Sequence, residues 1–310
     1  MPAPRAVLVA TTALAPVVWG TTYIVTTEFL PPDRPLLTAL LRALPAGLLL
    51  IAATRTLPHG SWWWRASVLG ALNIGMFFPL LFLTAYRLPG GVAAVLGSVQ
   101  PIIVALLTRT VLRENVPVHR VAAGVVAAAG VSLVVLRANA ALDMLGVVSG
   151  VIASAGMATG IVLTRLWGKP AGVGDLALTG WQLTAGGLMI APVALALEGP
   201  PPALDGAAVG GYLWLGLVGT AAAYSLWFRG INRLAALQVS LLGVLSPLTA
   251  ALVGWIVLGQ SLSPLQLIGF VLALTAAAAG QLSLPARAQR RTAAPPAPRP
   301  RVRENSETGS

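Results

Sequence analysis

Thirteen residues recur at a constant offset of 146 between 69–112 and 215–258. Leu96-Gly97, Pro101, Ala105-Leu106 and Val111-Leu112 return as Leu242-Gly243, Pro247, Ala251-Leu252 and Val257-Leu258. Leu69-Gly70, Leu80, Phe82 and Arg87-Leu88 return as Leu215-Gly216, Leu226, Phe228 and Arg233-Leu234. Chance supplies some Leu and Ala matches in so apolar a chain, but not Gly, Pro, Phe and Arg held in one ungapped register. The chain therefore reads as two copies of one unit, each about half its length.

Both copies lie in sequence too apolar for a water-soluble globule. Only 9 % of the 310 residues are charged and 56 % are hydrophobic, against roughly a quarter charged in ordinary soluble domains. The mean hydropathy is +0.82. All nine acids and nineteen of the twenty basic residues fall between apolar runs, at their ends or in the C-terminal tail. Lipid must then be the solvent, and a duplicated membrane unit points first to a transporter. The net charge of +11 does not argue for nucleic acid, because the basic residues cluster where topology signals belong. Without cysteine there is no disulfide and no thiolate metal site. His59 and His119 sit in short polar connections, the ordinary place for a solvated imidazole. No Gly-rich phosphate loop, paired-aspartate motif or Ser/His/Asp grouping is present, so neither an enzyme nor a cofactor or metal is expected.

At about 17–25 mainly apolar residues per span, the sequence predicts ten transmembrane helices in an all-α integral membrane fold. They fall near 7–28, 36–54, 66–86, 91–112, 119–136, 143–165, 176–197, 210–229, 236–258 and 264–283. The first lacks a cleavage-site pattern and reads as a retained helix. Turn residues such as Pro31-Pro32-Asp33, Pro58-His59-Gly60 and Gly199-Pro200 mark short connections. With a cytoplasmic N-terminus, sixteen basic residues face inward and only Arg34, Arg87 and Arg137 face outward. The positive-inside rule therefore places both termini in the cytoplasm of a bacterial inner membrane. Five helices per copy is an odd number, so the second copy enters upside down, giving two inverted five-helix repeats. The expected organisation is 1–140 for the first repeat, 141–284 for the second and 285–310 for a basic, Pro- and Ala-rich disordered tail.

The local patterns resemble the drug/metabolite transporter superfamily, specifically its ten-helix EamA-type branch, from Trp19 to Gln281. Trp19-Gly20-Thr21-Thr22-Tyr23 is similar to the family's first-helix Trp-Gly pattern, and Arg42 to its second-helix arginine. The Pro101 and Pro247 segments resemble its paired fourth and ninth helices. Leu112-Arg113-Glu114 resembles the loop glutamate before the fifth helix, a position held by Gln260 in the second half. The resemblance implies an alternating-access carrier of small polar metabolites such as amino acids, often outward. It does not specify the substrate.

A polar solute needs hydrogen-bonding groups and aromatic surfaces at mid-membrane. Trp19 lies roughly 18 Å along the first span at helical rise and shares a face with Tyr23, which suits a stacking wall. Trp62-Trp63-Trp64 instead flanks the third span and reads as an interfacial belt. Asn73, Ser98 and Gln100 are the candidate polar groups of the first half, and Tyr224, Ser240 and Ser246 those of the second. Pro101 and Pro247 each remove an N–H and should free the carbonyls of Gly97 and Gly243, a break that often lines a substrate site. Gly146-x3-Gly150 and Gly156-x3-Gly160 read as close-packing motifs of the sixth span. Arg42 is the one cation deep in a span and needs a partner or water. By depth, Glu28 is the expected partner, either as a structural ion pair or as a coupling group for a proton.

The expected function is secondary transport of small organic metabolites, first of all export of amino acids or related solutes. The partners are a small-molecule substrate and the lipid bilayer, with the proton as candidate coupling ion. The alternatives are uptake or exchange of phosphorylated or nucleotide-linked solutes, for which one buried cation is meagre, and a non-transporting membrane scaffold. Sequence leaves substrate, direction, coupling and oligomeric state open.

Overall fold

The computed structural model describes residues 4–87, 96–135, 143–257 and 263–282. The expected disordered tail, Arg137 and Gln260 lie outside the described residues. Among the described residues, eight helices are long and apolar enough to cross a membrane. In chain order with two shorter apolar helices, they are α1 (Arg5–Phe29), α2 (Pro35–Thr54), α3 (Trp62–Thr84), α4 (Leu96–Thr110), α5 (Val118–Val134), α6 (Met144–Trp167), α7 (Asp175–Leu197), α8 (Gly206–Arg233), α9 (Ala236–Val257) and α10 (Pro264–Gln281), of which α4 and α5 are the short ones.

The helix ends follow local chemistry. Asp143 accepts from the Gly146 N–H to start α6, and Asp205 from the Ala208 N–H to start α8. Ser263 and Gln266 form a reciprocal capping box at α10. At α2 the cap comes from elsewhere in the chain. The Glu198 carboxylate beyond α7 accepts from the Leu36 and Leu37 N–H groups, each at 2.8 Å, placing a negative charge on a helix N-terminus. Arg34 donates to the Glu198 carbonyl, tying the α1–α2 and α7–α8 connections together at one end of the bundle.

Two helices contain π-helical stretches, Ala71–Gly75 in α3 and Trp214–Ala222 in α8. Shifted by the repeat offset of 146, the first falls inside the second. The hydrophobic pattern gave no hint of either, because a π turn leaves composition unchanged.

Packing comes in matched sets. α2 lies on α7 and α5 on α10, while α1 sits against α8 and α9 as α6 sits against α3 and α4. Glycines make the tight seams possible. A Cβ on Gly47 would come within 2.5 Å of the Thr184 N, and one on Gly187 within 2.9 Å of the Leu44 Cα. Gly130 and Gly269 bring α5 and α10 together in the same way. On α6, Gly150, Gly156 and Gly160 leave room for Leu96, Met76 and Asn73, which fits the packing reading of those motifs. Large apolar side chains such as Leu48, Leu106, Val125, Leu188, Ile256 and Val271 stay exposed on the outside, as a lipid-facing surface requires.

The Trp62–Trp64 run needs correction. α3 begins at Trp62 rather than near 66, so the run is its first turn. Trp63 and Trp64 are exposed, as a belt demands, but Trp62 is only 6 % exposed and packs on Trp181 at 6.3 Å between ring centres. Helical phase turns one indole inward where sequence position treats all three alike.

Gly187→Val should destabilise the α2–α7 seam by the overpacking cost of about 1–3 kcal/mol, read as a lower melting temperature in detergent. Gly210→Ala, whose Cβ would meet open space, should be neutral or slightly stabilising in the same measurement.

Candidate functional site

A cavity of about 640 Å³ occupies the middle of the bundle, within the range that holds small organic ligands. Side chains of α1, α2, α3, α4, α6, α8 and α9 line it, and so does the α1–α2 connection through Pro31, Pro32 and Asp33. The cavity thus reaches the end of the bundle where Arg34 and Glu198 meet. At the opposite end the bundle is tied shut. Gln238 donates to the Gln281 carbonyl at 3.3 Å, Gln281 returns a bond to the Gln238 carbonyl at 3.0 Å, and Arg5 donates to the Gln281 carbonyl at 3.2 Å.

The deep wall is aromatic. Trp19 touches Tyr224 and Trp227 at centroid distances of 4.8 and 5.1 Å, and Phe78 meets Tyr224 at 6.0 Å. Tyr224, Trp227 and Phe228 share one face of α8 at i, i+3 and i+4. Arg42 is 3 % exposed, with its guanidinium over the Phe78 ring at 4.6 Å.

The π stretch of α8 makes this arrangement possible. At its end the Ala223 N–H donates to Val218 and Thr220 rather than to Gly219. The Gly219 carbonyl instead accepts from the Trp19 indole N–H at 2.9 Å and from Arg42 at 3.3 Å. Arg42 Nε also donates to Thr220 Oγ1 at 3.1 Å. π turns recur at functional sites because they expose backbone groups in this way.

The expected Glu28–Arg42 pair does not form. Glu28 is exposed and accepts from Thr27 at 3.2 Å, while Arg42 binds the α8 backbone. Depth along the helix axis matched the two residues, but the direction around α1 did not. Among the described residues the ion pairs are Arg87–Asp143, Lys169–Asp175 and Arg233–Asp175, all at helix ends and none in the cavity.

Of the other sequence-predicted residues, Trp19, Ser98, Gln100, Tyr224, Ser240 and Ser246 line the cavity together. The Tyr23 side chain lies outside the described residues. Asn73 is not part of the wall. It is fully buried on the π stretch of α3, where it donates to Gln182 Oε1 of α7 at 2.8 Å and fills the space left by Gly160. Gly97, Pro101, Gly243 and Pro247 all line the cavity, and the helices turn at Val99 and at Gly243–Val244. The Gly243 carbonyl is not free, however, because the Ser246 N–H takes it at 3.1 Å in a tightened turn. Sequence reasoning missed Phe78, Trp227, Thr38 and Thr220. The helical phase of Trp227 relative to Tyr224 was the signal that could have found one of them.

A helical bundle with an apolar exterior and an aromatic, hydrogen-bonding cavity at its centre is the architecture of a multi-pass membrane protein that can hold a small solute. The profile of the EamA-like transporter family matches residues 6–136 and again 144–279, and the chain belongs to that family, within the drug/metabolite transporter superfamily. It is 49 % identical over 262 residues to Protein PecM of Dickeya dadantii, covering 84 % of this chain and 88 % of that one. It is 27 % identical over 276 residues to the chloroplastic WAT1-related protein At3g02690 of Arabidopsis thaliana, covering 83 % of this chain and 65 % of that protein. One solved crystal structure superposes with a TM-score of 0.75 at 18 % identity, covering 89 % of this chain and 96 % of its own, a likeness of fold.

Because Asn73 joins α3 to α7 away from the cavity, Asn73→Ala should lower thermal stability by about 1 kcal/mol. The ratio of transport rates between competing solutes should stay unchanged in proteoliposomes.

Proposed function

We propose that this protein is a secondary transporter of small organic metabolites, an exporter of amino acids or related solutes that works by alternating access. The observation that carries the reading is the cavity, which is walled by aromatic and polar groups from both halves, reaches one end of the bundle and is tied off at the other. The ten helices are proposed to span the membrane as two inverted five-helix repeats, 1–140 and 141–284, followed by a basic tail. The matched packing of α2 on α7 and α5 on α10 supports this, since a two-fold axis brings each helix onto its repeat mate. The recurrence of the π stretch at the repeat offset supports it further.

With the positive-inside rule applied, both termini lie in the cytoplasm of a bacterial inner membrane, and the cavity faces outward. Trp19, Tyr23, Gln100 and Tyr224 would contact the solute, Ser98, Ser240 and Ser246 would supply hydrogen bonds, and the turns before Pro101 and Pro247 would flex as access alternates. A phosphorylated or nucleotide-linked solute is disfavoured, because among the described residues only one cation, Arg42, lines the deep cavity. Glu28, exposed and unpaired with Arg42, loses its geometric claim to proton coupling.

Reporter fusions at residue 60 and after residue 285 should read cytoplasmic, and a fusion near residue 200 external. A cytoplasmic signal at 200 would sink the inverted arrangement. In proteoliposomes supplied with a panel of amino acids, sugars and nucleosides, Trp19→Ala and Gln100→Ala should reduce transport at least about tenfold while leaving the protein folded. Wild-type rates in both variants would reassign these residues to packing.

A further inference from the structure

We propose that the cavity recognises its solute through a carboxylate seated on Arg42, so that the substrate is an aromatic or similarly planar organic acid with a net negative charge. The inference rests on the transport reading above and narrows small organic metabolites to organic acids, in place of zwitterionic amino acids.

Charge is the first argument. Among the described residues, Arg42 and Asp33 are the only charged side chains lining the cavity. Asp33 stands at the mouth, in the α1–α2 connection, so the deep end carries a lone positive charge with no carboxylate to balance it. A buried guanidinium in that position calls for an anion or for water. Geometry is the second. The hydrogen bonds Arg42 makes within the protein go to Thr220 and Gly219, which use part of a five-donor fork. Phe78 covers one face and leaves an edge available for the paired oxygens of a carboxylate.

The neighbouring groups favour an acceptor as well. The Trp227 indole N–H and the Gln100 amide nitrogen are buried on this wall and have no hydrogen-bond partner. Both are donors, and a carboxylate is acceptor-only. An ammonium group would find rings but no anion beside them, and the fixed charge of Arg42 would repel it. A zwitterion would therefore gain at one end and lose at the other. Trp19, half-buried and braced by Tyr224 at 4.8 Å, offers a ring face for the rest of a flat solute.

The test uses purified full-length protein in detergent and radiolabelled phenylacetate, competed by unlabelled phenylacetate, phenylacetamide, phenethylamine and phenylalanine. Phenylacetate should displace the label at concentrations at least about tenfold below the neutral, cationic and zwitterionic analogues. Arg42→Gln should bring phenylacetate and phenylacetamide to similar affinities, and Arg42→Lys should restore part of the preference. Trp227→Phe keeps a ring and removes one donor, so it provides a second readout should the Arg42 variants misfold. It should weaken phenylacetate binding about three- to tenfold, with the modest fall in melting temperature that a smaller ring brings at a buried position. Equal competition by phenylacetamide, or a preference for phenethylamine or phenylalanine, would overturn the anion proposal and leave the transport reading standing. Absence of saturable phenylacetate binding would overturn it too, and absence of transport of every solute in the liposome panel would overturn the transport reading itself.

Discussion

One carbonyl group organises the centre of this bundle. In the π stretch of α8 the Ala223 N–H turns to Val218 and Thr220, and the Gly219 carbonyl accepts from both Trp19 and Arg42. It thereby joins α1, α2 and α8 at a single atom. Without that acceptor, Arg42 would sit in an apolar interior with Thr220 alone, at a cost of several kcal/mol for a charge at such depth. The indole of Trp19 would likewise lose the bond that sets its plane against Tyr224 and Trp227. Side chains that face a solute must be held from behind, and here the backbone of a distorted helix does the holding.

The same geometry recurs in the other half with different chemistry. Position 73 on the π stretch of α3 corresponds, at the repeat offset, to position 219 on α8. There Asn73 bonds Gln182 of α7, just as α2 reaches α8 through Arg42. One contact joins two amides and is sealed between helices. The other joins a cation to a carbonyl and borders the cavity. Glycine brings the partners close in each: Gly70 and Gly186 draw α3 onto α7 beside Asn73, and a Cβ on Gly219 would stand 3.8 Å from the Arg42 guanidinium.

Much of this was legible in the sequence because lipid imposes strong rules. Long apolar runs with charges at their ends must be helices, and a lone arginine inside one must be partnered. The partner itself was not legible. Glu28 matched Arg42 in depth, yet depth is one coordinate of three, and the azimuth of a side chain is fixed only by packing. The π stretches explain two further misses. One carries Asn73, which lies off the cavity wall, and the other carries Gly219, whose carbonyl meets Trp19 and Arg42, and no residue type marks a π turn as Pro marks a kink. Gly243 was read correctly as a break, but its carbonyl found the Ser246 N–H in a tighter turn, the usual resolution when a helix end has no water at hand. Trp19, Gln100 and Tyr224 were found because polar and aromatic groups at mid-span have few other uses.

The pairing of a sealed amide contact in one half with a cavity-bordering cation in the other has a consequence for how such a chain can change over generations. Substitutions around Asn73 and Gln182 touch only the fit between helices, so selection there acts on whether the bundle assembles. Substitutions around Arg42, Phe78 and Thr220 alter what the cavity meets and, because these buried groups join α2, α3 and α8, touch the fit as well. The same joint thus carries assembly alone in one half and assembly together with cavity chemistry in the other. Any change in what the cavity meets at the second must also keep the helices together.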